Sequence, residues 1–257
     1  MAKKQVEFIP AEQDIQLLLR VRNSQFVKST DLCDYALKVG IAKSKPPVYA
    51  RMDKLIKGGL VDVVEEHPGK YSIYAISRLG LLRLEEKHLR LASLTSDSDA
   101  LPRKAELPHA LKLNELRNYF ESGLSATGWM TSLEIAASNI EEGTFVKDYD
   151  AVCWLPRDTW NKQPVRCAVE FERTVKENRR YVEIAEHLNH ETAVAFVLYL
   201  FESRRMITPI MEQMRTYKVA FTTAHALLTY GLKCPMFVWK GDEIFQSHLV
   251  DILAFLP

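Results

Sequence analysis

Hydrophobic and polar positions recur along this chain with two different periods, and the changes of period divide it. In "AEQDIQLLLRVRN" (11–23) the apolar residues Ile15, Leu18, Leu19 and Val21 follow helical spacing. "STDLCDYALKVG" (29–40) predicts a second helix, with Ser29 or Thr30 as its N-cap and Gly40 just past its end. "SKPPVYARMDKLIKGG" (44–59) predicts a third. Its two prolines suit a first turn, Val48, Met52, Leu55 and Ile56 give one apolar face, and Gly58-Gly59 stops it. A period of two then takes over. "LVDVVEE" and "YSIYAIS", joined by the turn "HPGK", read as a hairpin, and "RLGLLRLEEKHLRL" as a closing helix. Three helices, a ribbon and a last helix predict a winged helix-turn-helix over residues 1–92. The stretch "SLTSDSDALPRKAE" (93–106) is polar and aperiodic, contains Pro102, and reads as a linker.

Residues 107–257 predict a second domain of mixed α/β type. "HALKLNELRNYFESG" is helical, with Leu111, Leu113, Leu116 and Phe120 apolar, whereas "WMTSLEIAAS" fits neither period. Strands are predicted through "GTFVKDYDAVCWLP", running across Asp150, and through "PVRCAVEFERT", "TAVAFVLYLFES" and "CPMFVWKG". Helices are predicted over "VKENRRYVEIAEHLNH" and "ITPIMEQMRTY".

Charge sharpens this division. Residues 1–95 hold 16 Lys/Arg against 11 Asp/Glu, and the remainder holds 18 against 22. On the third helix and its approach, Lys43, Lys45, Arg51, Lys54 and Lys57 face one acid, Asp53. In helix-turn-helix proteins that helix enters the major groove, so Lys43, Lys45, Tyr49, Arg51 and Lys54 are candidate DNA contacts, with Lys70 beside His67 and Gly69 at the wing tip. A solvated helix face, or a winged helix that binds protein, are the rival readings. The four cysteines are scattered with no CxxC pair, so reduced thiols in the cytoplasm are the expectation. No apolar run approaches the roughly 18–20 residues of a membrane span, and "MAKKQVEFIP" has no signal-like apolar core. No membrane partner is expected.

The chemistry is concentrated in "AVEFERTVKENRRY" (168–181). Side chains alternate along a strand, so Glu170 and Glu172 share one face with Ala168. Two carboxylates side by side raise each other's pKa, and a cation between them relieves the conflict. Mg²⁺ or Mn²⁺ suits oxygen ligands of this kind, with Asp150 from the neighbouring strand as a third ligand. Lys176 is the expected site cation and Lys147 its alternative. Such a set suits phosphodiester hydrolysis, in which the metal activates water and a lysine stabilises charge on phosphorus. The competing reading is a pair of solvated glutamates, or glutamates ion-paired with Arg173, Arg179 or Arg180.

Asp150 on one strand and an acidic-x-acidic motif on the next resemble the PD-(D/E)xK restriction-endonuclease-like superfamily, with Glu172 where its simple form has lysine. That departure, D…ExE…K at Asp150, Glu170, Glu172 and Lys176, together with the winged helix and "HALKLNELR", is similar to MobC-type plasmid relaxases and the replication-relaxation family. The resemblance implies a restriction-endonuclease-like mixed sheet flanked by helices. It also implies a metal-dependent endonuclease that nicks one strand of plasmid DNA at the transfer origin, with an accessory mobilisation protein and a coupling ATPase as partners. A non-catalytic DNA-binding regulator of plasmid replication is the alternative, and a nuclease making double-strand cuts is a third reading.

Several further residues are candidates. Glu134 is a candidate fourth acid, and Tyr181 and Tyr149 are candidate nucleophiles with packing as the rival role. The pair His187-x-x-His190 is too small to define a metal site. Trp129, Trp154, Trp160 and Trp239 are expected in the core or at a domain interface, with base stacking a further reading for Trp160 in the polar loop "RDTWNKQ".

Overall fold

The helical spacing of residues 11–23 becomes α1 (Glu12–Ser24), which buries Ile15, Leu17, Leu18 and Val21. The structure, a computed structural model, describes residues 9–97, 101–157 and 163–256; Trp160 lies outside them. The chain forms two compact units, residues 1–114 and 115–257.

In the first unit, α1 is followed by a short strand the periodicity does not reveal, β1 (Phe26–Lys28). It runs straight into α2 (Ser29–Lys38), so Lys28 rather than Ser29 or Thr30 occupies the cap position. The Ser29 hydroxyl instead accepts the N–H of Ser72 at 3.1 Å. Gly40 does end this segment in the left-handed region, at φ +77°. α3 (Lys45–Lys57) begins on its two prolines and buries Val48, Met52 and Leu55. The hairpin is β2 (Val61–His67) with β3 (Tyr71–Ile76), and the three strands pair in the order β1-β3-β2. Ser77 then caps α4 (Arg78–Glu85), its hydroxyl accepting the Gly80 N–H at 3.0 Å. Only glycine fits at position 80, because a Cβ there would stand 2.2 Å from the Leu60 carbonyl oxygen.

The segment 93–97 is more tightly held than its polarity predicts. Leu94 is buried, and the Ser96 N–H donates to Glu85 at 2.7 Å. The next helix, α5 (Leu107–Gly123), contains the division between the units. Its first turns belong to the first unit: Leu107 and Ala110 pack with Phe26, Ile73 and Ala75, and the Asn114 amide donates to the Phe26 carbonyl at 2.6 Å. The helical period of "HALKLNELRNYF" shows the helix but not which residues its first half will cover.

The second unit is built on a seven-stranded mixed sheet. The ambiguous "WMTSLEIAAS" turns out to hold a boundary, with β4 (Thr127–Thr131) leading into α6 (Ser132–Glu142). β5 (Ala151–Leu155) starts one residue after Asp150, later than the sequence predicts, and β6 (Val165–Glu172) pairs with it antiparallel. α7 (Asn178–Asn189) then crosses to β7 (Phe196–Phe201), parallel to β6 and buried along its whole length. That burial is why residues 196–201 read as a continuous apolar run. α8 (Ile207–Gln213) leads to β8 (Val219–Thr223), also parallel. α9 (Ala224–Tyr230), β9 (Pro235–Lys240), β10 (Glu243–His248) and α10 (Leu249–Phe255) complete the unit. β8, β10, α9 and α10 were not predicted; all are short, five to seven residues each.

The strand order is β10-β9-β8-β7-β6-β5-β4, which makes the fold mixed α/β, as expected. One face of the sheet carries Ala168, Val197, Tyr199, Phe201 and Phe221, packed with Tyr181, Ala185 and Leu188 of α7 and Ile207 and Ile210 of α8. Among the described residues no helix is long and apolar enough to cross a membrane.

Candidate active site

The alternation along β6 decides where its acids go. Ala168 lies in the core cluster, and Glu170 and Glu172 continue the same face to the strand's end, only 7% and 6% exposed. Beside them in register on β7 stand Tyr199 and Phe201. Both glutamates are therefore carboxylates at the rim of an apolar layer, not solvated surface charges. Asp150 comes to the same edge from the other side. The β5–β6 ladder pairs Ala151 with Val169, so Asp150 and Glu170 are the next residues beyond that rung. An Asp150 carboxylate oxygen accepts the Phe171 N–H at 2.7 Å, which fixes this side chain on the end of β6.

Two lysines answer the two glutamates. Lys147 Nζ is 2.6 Å from Glu170 Oε1, and Lys176 Nζ is 2.7 Å from Glu172 Oε2. Both cations considered in the sequence are thus present, one on each acid. The arginines weighed as partners are not used: Arg179 pairs with Glu183 at 2.9 Å. Burial pushes the Glu170 carboxyl up to about 7; Lys147 opposes that shift and the Asp150 charge adds to it. Its repulsion from Asp150 is the conflict that a divalent ion would relieve.

Tyr181 and Tyr199 close the floor. The Tyr181 hydroxyl accepts the Lys176 N–H at 2.8 Å and so pins the loop that carries this lysine. The Tyr199 hydroxyl lies 3.4 Å from Glu172 Oε2. Burial raises both phenols, and the nearby Glu172 carboxylate adds to the effect on each. Tyr181 is fully buried, with its hydroxyl engaged by the Lys176 N–H. Tyr149 is fully buried too, and donates its hydroxyl to Glu191 at 2.7 Å; burial first, then Glu191, push its pKa up.

Glu191 is the acid that sequence reasoning missed. It is 1% exposed and also accepts the N–H groups of Val146 at 3.3 Å and Ala193 at 2.6 Å. It thereby fastens the loop bearing Lys147, Tyr149 and Asp150 to the end of α7. The signal was a lone acid after "HLNH", which local pattern does not separate from a surface residue. Tyr199 was visible in the sequence only as part of an apolar run.

Glu134 serves as a helix cap. Its carboxylate accepts both the N–H and the hydroxyl of Thr131 at 2.8 Å, the reciprocal cap that starts α6. His187 and His190 are exposed on and just after α7. Trp239 is buried, as expected, and donates to the Met211 carbonyl at 3.1 Å, whereas Trp154 is 40% exposed.

The carboxylate oxygens are donors of the type that Mg²⁺ and Mn²⁺ accept. Among the described residues, no three His, Cys, Asp or Glu side chains are drawn together as a finished ligand set. In this state the lysines neutralise the glutamates, so an ion would take over carboxylates that the lysines now hold.

The candidate DNA contacts of the first unit divide differently. Lys43, Lys45, Tyr49, Lys54 and Lys70 are exposed. Lys45 lies 3.2 Å from Asp34, a pair both of whose side chains are exposed. Arg51 is the exception: it is half-buried and pairs with the buried Asp14 of α1 at 2.8 Å, holding α3 against α1. The chain matches no protein-family model, and neither a curated protein nor a solved structure is detectably similar to it.

Proposed function

We propose that this protein is a metal-dependent DNA endonuclease of the relaxase kind, which binds plasmid DNA through its first unit and nicks one strand through the acidic edge of its second. One observation carries the reading: Asp150 accepts the Phe171 N–H on the strand end that bears Glu170 and Glu172, and each of those glutamates is paired with a lysine. The succession of β4, β5 and β6 followed by α7 and the parallel β7 supports a restriction-endonuclease-like core. In the first unit, three helices before a hairpin support a winged helix, with the exposed Lys45, Tyr49 and Lys54 on the groove-reading element and Lys43 just before it.

Asp150, Glu170 and Glu172 would hold Mg²⁺ or Mn²⁺. Bound there, the ion supplies Lewis acidity toward a phosphate oxygen and a water of lowered pKa. The chain's own contributions are a buried rim that excludes bulk water, a carboxyl at Glu170 able to release or take up a proton near neutral pH, and two ammonium groups. Released from their carboxylates, Lys147 and Lys176 are placed to offset charge that builds up on phosphorus. Cytoplasmic action at a transfer origin, with an accessory mobilisation protein and a coupling ATPase, completes the proposal.

The decisive experiment incubates the protein with supercoiled plasmid carrying its neighbouring DNA, with Mg²⁺ or Mn²⁺. A unique nick is expected, abolished in Glu170→Ala and Glu172→Ala. Full nicking by those variants would reject the site. A second reading, a DNA-binding regulator of plasmid replication without catalysis, is favoured by one fact: both glutamates are already charge-neutralised by lysines. It predicts salt-dependent DNA binding and no cleavage with any divalent metal.

A further inference from the structure

We infer that Arg173, Arg180, Arg204 and Arg205 form a docking surface for the phosphodiester backbone of a nucleic-acid strand beside the acidic edge. Such a surface deepens the endonuclease reading and rests on it for what the docked strand is held for, though not for the docking itself.

The topology brings the four together. β6 and β7 are parallel and end side by side, with Glu172 in register with Phe201. The Glu202 N–H donates to the Glu172 carbonyl at 3.0 Å, so the segments leaving both strands emerge in contact. Arg173 follows Glu172 directly. Arg204 and Arg205 open the short 3-10 turn Arg204–Met206, and Arg180 lies in the first turn of α7. All four are exposed.

Their charges are uncommitted, unlike those around them. Lys147, Lys176 and Arg179 are each paired with a glutamate. Among the described residues, none of the four arginines takes part in an ion pair. Glu177 and Glu202, the exposed acids of the same segments, leave a surplus of two positive charges along this rim. The acidic edge itself holds three carboxylates against two lysines, which by itself repels a phosphate. A positive rim on the adjoining loops reverses that repulsion where a strand must approach.

The residue type points the same way. All four uncommitted cations are arginines, whose planar fork binds phosphate oxygens in pairs and stacks on bases. Val175, between Arg173 and Arg180 in the chain, is 53% exposed and offers apolar contact to a sugar or base. A polyanion with regularly spaced phosphates fits this layout better than a single carboxylate.

The test uses the full chain in EDTA, where cleavage cannot occur, and a fluorescent single-stranded oligonucleotide whose anisotropy is followed across a salt series. Lys43→Gln/Lys45→Gln/Lys54→Gln serves as the background, so that the other basic surface is silent. Adding Arg173→Gln/Arg180→Gln/Arg204→Gln/Arg205→Gln is expected to weaken binding at least tenfold. It should also lower the slope of log affinity against log salt by about 3, at about 0.7 for each phosphate left unneutralised. An unchanged melting temperature would show that the variant is folded. Unchanged affinity and slope would overturn the inference, as would polyglutamate competing as well as the oligonucleotide, which would mark an acidic protein as the partner. The two readings fail separately. Binding that is lost with the arginines in a protein that never nicks leaves the docking surface standing and removes the endonuclease. Nicking by a protein whose binding ignores the arginines does the reverse.

Discussion

Lys147 Nζ lies 2.6 Å from Glu170 Oε1, so the cation on the inner glutamate comes from the loop before β5, not from the loop after β6. Replacing it leaves Glu170 buried without its nearest positive charge. Lys147→Met should cost about 1–3 kcal/mol at pH 8, where the unsubstituted protein holds an ionised pair, and less at pH 5, where the carboxyl is protonated with or without Lys147. Urea denaturation at the two pH values measures the difference; equal losses would mean the pair carries no charge interaction.

Glu170 also sets a pH dependence with a definite sign. Its folded pKa, about 7, lies above the ordinary 4.5 because burial disfavours the charge. The folded state therefore holds this proton more tightly than the unfolded chain does. The contribution is fully present below pH 4.5 and is lost as pH rises through 7, on the order of 3 kcal/mol in all. Glu170→Gln should flatten the stability profile between these limits. On the endonuclease reading, divalent metal should bind more tightly as pH rises through 7, since the proton must leave first; isothermal titration at three pH values would show it.

Glu191 fastens the loop that carries Lys147 and Asp150. Glu191→Ala strands the Tyr149 hydroxyl and two backbone N–H groups, and should cost about 2–4 kcal/mol. Nicking should fall with it although Glu191 contacts no substrate. Tyr149→Phe loses one bond, about 1–2 kcal/mol, and like Tyr181→Phe should still nick, leaving no protein-linked 5′ end. Loss of nicking in a folded Tyr→Phe variant would restore a tyrosine nucleophile.

The basic residues of α3 should separate into two kinds. Arg51→Ala breaks the pair with the buried Asp14, and should destabilise the first unit by about 2–3 kcal/mol. Lys54→Ala should leave the melting temperature unchanged and lower the salt slope of duplex binding by about 1. A stable Arg51→Ala protein with a reduced slope would return Arg51 to the DNA-contact set.

Glu134→Ala removes a helix cap and should cost about 1 kcal/mol without changing nicking per folded molecule. Abolished nicking with unchanged stability would reinstate Glu134 as an acid of the site.

Spacing along the chain determined what depends on near neighbours. Apolar residues three and four apart marked α1, α3 and α7, cap residues marked α2, the apolar run 193–201 marked a strand, and alternation put Glu170 and Glu172 on one side of β6. Those regularities follow from backbone geometry, which any short segment carries within itself. Tertiary structure decided the partners. It brought Lys147 to Glu170, hid Glu191 under Tyr149 and drew Arg51 onto Asp14. A charged side chain takes whichever opposite charge or hydrogen-bond donor folding brings within about 3 Å, and residues 23 to 42 positions apart carry no local sign of that meeting. β8, α9, β10 and α10 escaped for a related reason: five to seven residues show little of a period, and their stability comes from the sheet they join.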